Sequence, residues 1–288
     1  MISFDVTGRD VTRAWIAACN ALDRKDNPSR TGLHTVVRIT DPTTDDTGFR
    51  TELDRLRTAK RHEPIDTVAG TLFPVGLAAR AADHADLVSR YRAMYPRLKK
   101  FPGNAHGTYF GRLVAYPGVK KTDIDQVGNI ISRLRKQASG KGPMTAAYEA
   151  DLAHPDDGDV PAELLVHAAD RDNLYRGFPC LSHVSFQLDR DGRVHAAALY
   201  RSHYMFERAY GNYLGLGRLL AYIADQAELA VGTLTVVAGH AHLDGPITAI
   251  RPLLSDTPPL AAWHPPQQAA LIPHLGGNQA GTGAIEER

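Results

Sequence analysis

Apolar residues recur along the chain with a helical period in some segments and a strand period in others. The first helical segment spans residues 8–24 and has Asp10 as a suitable N-cap. Its apolar stripe consists of Val11, Trp15, Ala18 and Leu22. Cys19 lies beside this stripe, and a free cysteine there is predicted to be a small core residue. Further helices are predicted at residues 65–74, 77–95, 123–137 and 212–229.

Strand patterns dominate the second half of the chain. Residues 183–200 alternate around Asp191-Gly192, which is a strong hairpin signal. Other strands are predicted at residues 33–40, 144–150 and 232–243, and residues 100–113 are interpreted as a glycine-rich loop. Strands that pair antiparallel and alternate with helices predict an α+β fold. We expect one domain over residues 1–256 and a flexible Pro- and Gly-rich tail over residues 257–288.

Composition narrows the functional classes. The 288 residues carry a formal net charge of +1, so bulk charge gives no reason to expect a nucleic acid polymer or a membrane surface as partner. Two cysteines form no disulfide framework, and neither a signal peptide nor a membrane-spanning run is evident. A cytoplasmic, reduced protein is the expectation.

Three groups of residues are candidates for chemistry. His240, His242 and Asp244 have the spacing of side chains that share one face of a strand, so they form a metal-site candidate, with polar strand-end residues as the alternative. Arg30 and Arg201 each stand next to a hydroxyl residue and are candidates for binding a phosphate in a bidentate manner.

Cys180 is the third candidate, either as a nucleophile or as a small core residue. A reactive thiolate needs nearby cations that lower its pKa. The sequence offers Arg176, His183 and Arg201 for this purpose. On a regular strand His183 would face away from Cys180.

The order of motifs in residues 179–244 resembles the core of the thymidylate synthases. The matching residues are Pro179-Cys180, the Asp191-Gly192 hairpin, "LYRS" at 199–202, Asn212 at 11 residues after Arg201, and "GHAHL" at 239–243. Upstream, "SRTG", "HGTYFGRL" and the helix and strand around residues 125–150 resemble the family more weakly. The resemblance covers residues 10–255 and implies a thymidylate synthase-like mixed sheet flanked by helices.

This resemblance implies a mechanism in which Cys180 adds to C6 of a pyrimidine nucleotide and makes C5 nucleophilic. C5 then attacks the methylene carbon of 5,10-methylenetetrahydrofolate, and the product is a 5-methyl or, in hydroxymethylase relatives, a 5-hydroxymethyl base. Arg201 would also stabilise the thiolate, and Asn212 would recognise a uracil-type base. The other implied nucleotide-binding residues are Arg30, Lys141, Ser202 and His242. The family also implies a homodimer.

Several positions depart from the family. The glutamate that organises proton transfer is absent, since Ala69 or Gly70 stands in its place and Glu63 lies several residues earlier. Lys141-Gly142 replaces a pair of arginines, and Tyr204 replaces the aspartate that helps to hold the folate ring. Asp244 replaces a tyrosine that contacts the sugar, so it is predicted to bind a different sugar.

The retained and altered positions leave three functions open. The first is C5-methylation or C5-hydroxymethylation of a pyrimidine nucleotide, in a modified-nucleoside or antibiotic pathway. The second is a folate-independent reaction of the base through the Cys180 adduct. The third is a catalytically degenerate homologue that only binds a nucleotide.

Overall fold

The computed structural model describes residues 2–101, 107–118, 123–140, 148–152 and 180–255. The predicted tail, Lys141 and Arg176 therefore lie outside the described residues. The helices are α1 (Val11–Leu22), α2 (Thr47–Ala59), α3 (Ile65–Leu72), α4 (Val75–Ala78), α5 (His84–Leu98), α6 (Tyr109–Val114), α7 (Gln126–Ala138), α8 (Tyr210–Gln226) and α9 (Ile247–Ser255). A π-helical turn, Met205–Ala209, leads into α8.

Six strands form one mixed sheet in the order β1-β2-β8-β7-β6-β5. The strands are β1 (Asp5–Gly8), β2 (Thr31–Ile39), β5 (Glu149–Asp151), β6 (Leu181–Leu188), β7 (Arg193–Tyr204) and β8 (Ala230–His242). The β1–β2 and β7–β8 pairs are parallel, whereas the other three pairs are antiparallel. The two-residue strands β3 (Tyr116–Pro117) and β4 (Asp123–Ile124) form a separate ladder. This mixture of α and β elements is compatible with the α+β class predicted from the sequence.

The core lies between the sheet and helices α1, α3 and α8. The apolar stripe predicted for α1 is fully buried, and so is Cys19. Helix α8 is buried over most of its length, and its glycines let neighbouring backbone approach closely. A Cβ on Gly215 would lie 2.8 Å from the Ala69 carbonyl oxygen of α3, and one on Gly217 would lie 1.9 Å from the Pro42 carbonyl oxygen. Within the described residues, none of the helices has the length and apolarity needed to cross a bilayer.

Three adjacent strands interrupt their in–out alternation at one level of the sheet. Buried positions are three residues apart instead of two at Tyr200 and His203 of β7, and likewise at Ala238/Ala241 of β8 and Gly32/Thr35 of β2. The buried residues on either side of this break pair with one another across the three strands. Strand β6 has its own β-bulge between Leu181 and His183, one row earlier. A residue beyond the break therefore faces the side opposite to the one that strict alternation predicts.

Some predicted boundaries were wrong, and side-chain caps explain them. The helix predicted at 77–95 begins at His84, because the Asp83 carboxylate accepts a hydrogen bond from the Asp86 amide (2.8 Å). The predicted loop at 100–113 contains α6, which Thr108 caps through the Gly111 amide (3.1 Å). Helix α2 was missed because it buries only Leu53 and Arg57, too few positions for an apolar stripe. Strand β1 and helix α9 were also missed.

The glycines of α8 and α3 provide a matched test of this packing. We expect Gly217→Ala to destabilise the protein by roughly 2 kcal/mol or more, because the new methyl group meets backbone that cannot move aside cheaply. We expect Gly70→Ala to stabilise it by roughly 0.5–1 kcal/mol, since no atom lies within 4 Å of that Cβ position and alanine favours the helix. Urea unfolding of both variants checks this pair, and a stable Gly217→Ala variant would contradict the packing.

Candidate active site

Cys180 and Arg201 lie side by side at the beginning of β6 and near the end of β7. The Arg201 amide donates a hydrogen bond to the Cys180 carbonyl oxygen over 2.8 Å. Cys180 is partly buried and packs against the core, whereas Arg201 is exposed. The structure therefore brings the predicted nucleophile and its predicted cation together.

The Cys180 thiol is held in a neutral resting state by its surroundings. Burial raises its pKa, and the positive charges of Arg201 and Arg208 oppose this shift. Glu207 adds a negative charge that raises the pKa further. Tyr109, whose phenol forms a hydrogen bond with the Leu181 backbone, is close enough to interact with the thiol, and burial raises its pKa to about 12. A cation close to Cys180 can therefore lower the pKa of the thiol and increase the fraction of thiolate.

Asn212 is buried in the first turn of α8, and a histidine fixes its orientation. Its side-chain nitrogen lies 3.1 Å from Nε2 of His203. Burial lowers the pKa of His203 to about 3, so this ring is neutral and its Nε2 accepts from the Asn212 amide. The His203 ring also stacks on Tyr200 with 4.2 Å between ring centroids. The Asn212 carbonyl oxygen thereby has a defined direction.

The ends of β7, β8 and β2 place further predicted residues in neighbouring positions. Ser202 pairs with His240, and Tyr204 pairs with His242. The ring of Tyr204, which is 43% exposed, meets the His242 ring edge-on with 6.0 Å between centroids. Thr31, directly after Arg30, pairs with His242 on the other side. Hence Arg30, Ser202, Tyr204 and His242 occupy the same end of the sheet.

Arg30 belongs to an ion cluster in the structure. Its Nε donates to Asp23 over 3.0 Å, and Arg251 donates to the same carboxylate over 2.7 Å. The hydrogen bond from Arg251 lowers the pKa of Asp23, and Arg30 adds to this effect. A phosphate that binds Arg30 must therefore compete with the Asp23 carboxylate.

Asp244 has a structural partner at each carboxylate oxygen. Oδ1 accepts from the Phe206 amide (2.8 Å) and Oδ2 from the Glu207 amide (3.1 Å). Both oxygens are therefore occupied by the π-helical turn, and sugar binding by Asp244 stays a prediction. Among the side chains that the structure describes, no group of three or more His, Cys, Asp or Glu residues is arranged to hold a metal ion.

His183 contacts the edge strand β5, not the thiol of Cys180. Its Nε2 lies 2.6 Å from Glu149 and its Nδ1 lies 2.7 Å from Asp151, so both ring nitrogens contact carboxylates of β5. Burial lowers the pKa of His183, but these hydrogen bonds outweigh burial and leave the pKa raised. The His183 ring thus attaches β5 to β6 through both of its nitrogens.

Sequence reasoning missed two residues of this site. Tyr109 lies in a segment that was noted for its resemblance but was given no role. His203 was missed because strict alternation from buried Tyr200 places it on the outer face, and only the break in β7 turns it inward.

Comparison with known proteins gives partial matches to one kind of enzyme. A protein of Methanosarcina barkeri named "Putative thymidylate synthase" is 41% identical over 137 residues, which is 47% of this chain and 52% of that protein. Its namesake in Methanothermobacter thermautotrophicus is 29% identical over 136 residues, covering 47% and 50% of the two chains. The namesake in Methanococcoides burtonii is 44% identical over 66 residues, or 23% and 30%. No family model matches the chain.

The chain spans about half the length of the curated relatives it matches. These matches support a thymidylate synthase-like relationship. They agree with the family resemblance of the motif order around Cys180, Arg201 and Asn212.

The charge balance around Cys180 predicts how fast the thiol reacts. We expect Arg201→Gln to slow the alkylation of Cys180 by iodoacetamide at pH 8 by roughly threefold to tenfold, because loss of the cation leaves less thiolate. The rate can be measured by mass spectrometry, with exposed Arg190→Ala as the control variant. Cys180→Ser should remove the labelling, since Cys19 is fully buried. An unchanged rate in Arg201→Gln would contradict this electrostatic role.

Proposed function

We propose that this protein is a thymidylate synthase-like one-carbon transferase that acts on a pyrimidine nucleotide. It would attach a methyl or hydroxymethyl group to C5 of a uracil-type base through a covalent adduct at Cys180, in the synthesis of a modified nucleoside or an antibiotic. The observation that carries the proposal is the backbone pairing of Cys180 with Arg201, together with the buried Asn212, which follows Arg201 by 11 residues and is oriented by His203.

Each remaining residue has a role in this proposal. Sγ of Cys180 attacks C6, and Arg201 stabilises the thiolate before attack. Asn212, oriented by His203, recognises the donor and acceptor edge of the base. Arg30, Arg201, Ser202 and Lys141 bind the phosphate, with Asp23 displaced from Arg30. His242 contacts the sugar, together with Asp244, whose oxygens can each accept a second hydrogen bond while they hold the π-helical turn.

The cofactor of this proposal is 5,10-methylenetetrahydrofolate, which would supply the one-carbon unit. Tyr204 is the residue that we assign to it. Its exposed ring offers a face for stacking on a planar heterocycle, and its hydroxyl oxygen can accept a hydrogen bond in place of the family's carboxylate.

A second function is favoured by the changes on the cofactor side. Tyr204 replaces the folate-binding aspartate, and the glutamate of proton transfer is missing near Gly70. An enzyme that uses the Cys180 adduct without folate would retain the nucleotide-binding residues. It would not need the folate-binding aspartate or the glutamate of proton transfer. A nucleotide-binding homologue without activity would also fit the missing glutamate.

Tritium release separates these functions. We expect release from 5-tritiated UMP or dUMP that requires methylenetetrahydrofolate, and we expect Cys180→Ser to abolish it because no adduct can form. CMP and dCMP are the matched substrates for testing base choice. Release without folate would support the second function. Binding without any release would leave the inactive homologue.

We also propose that the chain forms a homodimer through the outer face of the sheet. Leu199 pairs with Val237, which pairs with Val36, so these three side chains form one apolar row. Leu199 is 46% exposed, and Leu33, three residues before Val36 on β2, is 40% exposed. An apolar sheet face of this kind is typical of a surface that buries itself against a partner.

A charge in this row tests the dimer. We expect Leu199→Glu to convert the dimer into a monomer, because a carboxylate would be buried without a partner. Ile124→Glu, at a similarly exposed residue of β4, should leave the dimer intact. Light scattering after size-exclusion chromatography gives the mass. A dimeric Leu199→Glu variant, or a monomeric parent protein, would exclude this interface.

A further inference from the structure

The π-helical turn between β7 and α8 is held by two ionic side chains, the buried Arg57 and the partly buried Asp244. The Arg57 guanidinium, 1% exposed, donates to the carbonyl oxygens of Phe206 and Glu207, the latter over 2.6 Å. The Asp244 carboxylate accepts from the amides of the same two residues, over 2.8 and 3.1 Å. The backbone of residues 206 and 207 is thus bound from both sides.

Removing these two charged groups from water is unfavourable. Burial lowers the pKa of Arg57 and raises the pKa of Asp244, which means that both charged forms pay for desolvation. A π-helical turn is itself rare and occurs frequently at functional sites. The use of a buried guanidinium and a partly buried carboxylate to hold one short turn indicates that the position of its side chains matters.

The turn carries Glu207, six residues after Arg201 along the chain. Its carboxylate pairs with Arg208 over 2.9 Å and keeps a side-chain exposure of 33%. Strand β7 runs from Arg201, the neighbour of Cys180, directly into this turn. The charges of Glu207 and Arg208 both act on the Cys180 thiol. Glu207 is thus a partly exposed carboxylate on the segment that directly follows Arg201, and its charge acts on the Cys180 thiol.

We propose that the Glu207 carboxylate moves the proton at C5 of the base in the Cys180 adduct. This inference rests on the function proposed above and names the acid that replaces the family's missing glutamate. Once the one-carbon unit is attached to C5, the Glu207 carboxylate would accept the C5 proton, and the C5–H electron pair would form a double bond from C5 to that carbon as the bond from the carbon to the folate nitrogen breaks. Glu207 would then release the proton to water, which is the tritium release that the experiment measures. When hydride or water adds to that carbon, the C5=C6 bond would re-form and Sγ would leave C6 as thiolate. Arg208 would stabilise the Glu207 carboxylate before and after it carries the proton.

Glu63 is the rival acid, and the structure relates it to the same guanidinium. Arg57 donates to the Glu63 carbonyl oxygen over 2.5 Å, and His62 packs edge-on against Phe206. Arg57 thus contacts the main chain of both glutamates. The two residues differ in that Glu207 exerts its charge on Cys180. Glu63 is therefore the matched control.

The experiment compares Glu207→Gln with Glu63→Gln in the full chain. We expect Glu207→Gln to lower kcat for tritium release from 5-tritiated dUMP or UMP by about 100-fold, with little change in the KM for the nucleotide. Glu63→Gln should keep the parent rate. Glu207→Asp should recover part of the loss. Both variants retain the main-chain groups that Arg57 and Asp244 bind, and circular dichroism checks that they fold.

Three results would overturn the assignment. They are full tritium release by Glu207→Gln, loss of release in Glu63→Gln alone, and a Glu207→Gln variant that is impaired only in its KM for methylenetetrahydrofolate. Covalent capture of 5-fluoro-dUMP or 5-fluoro-UMP by the parent protein, detected by intact mass, tests the underlying function separately. Capture together with a normal Glu207→Gln rate overturns only the role of Glu207. Absence of both capture and tritium release in the parent overturns the proposed function too.

Discussion

The break in alternation across β2, β8 and β7 is the constraint on which the site depends. Up to Tyr200 in β7 and Ala238 in β8, and from Thr35 onward in β2, the strands alternate regularly. In these parts they bury one face of the sheet against α1 and α8. Beyond the break, His203 turns inward and Tyr204 turns outward. The inward histidine can then meet Asn212, and the end of β7 can lead into the π-helical turn. One irregularity shared by three strands therefore arranges groups that a regular sheet would separate.

The site is held mainly by polar groups inside the protein. His203 stays neutral because it is buried, and this gives Asn212 an acceptor in place of a repelling charge. Burial disfavours the charged forms of Arg57 and Asp244, and both side chains bind main-chain groups of the turn. Groups of this kind contribute little net stability, but they make alternative backbone paths unfavourable. Rigid placement of side chains around Cys180 is the result.

Local patterns were sufficient to predict the long elements. Helices α1, α7 and α8, the β6–β7 hairpin and β8 follow from periodicity and from Asp191-Gly192. Helix α2 has too few apolar positions to be found this way, and α5 begins where the Asp83 cap outweighs an apolar pattern that starts earlier. In the site, Cys180, Arg201 and Asn212 could be named from their order. The partnerships of His183 with β5 and of Asp244 with the turn could not, because they join residues that are distant in the sequence.

The two edge strands of the described sheet are short and acidic, whereas its outer face carries an apolar row. Strands β1 and β5 have only four and three residues, and they carry Asp5, Glu149 and Asp151. Short acidic edges are poor templates for another strand, because like charges would meet along the new ladder. The two edge strands therefore disfavour edge-to-edge pairing with other copies of the protein, which is the step by which sheets extend into fibres.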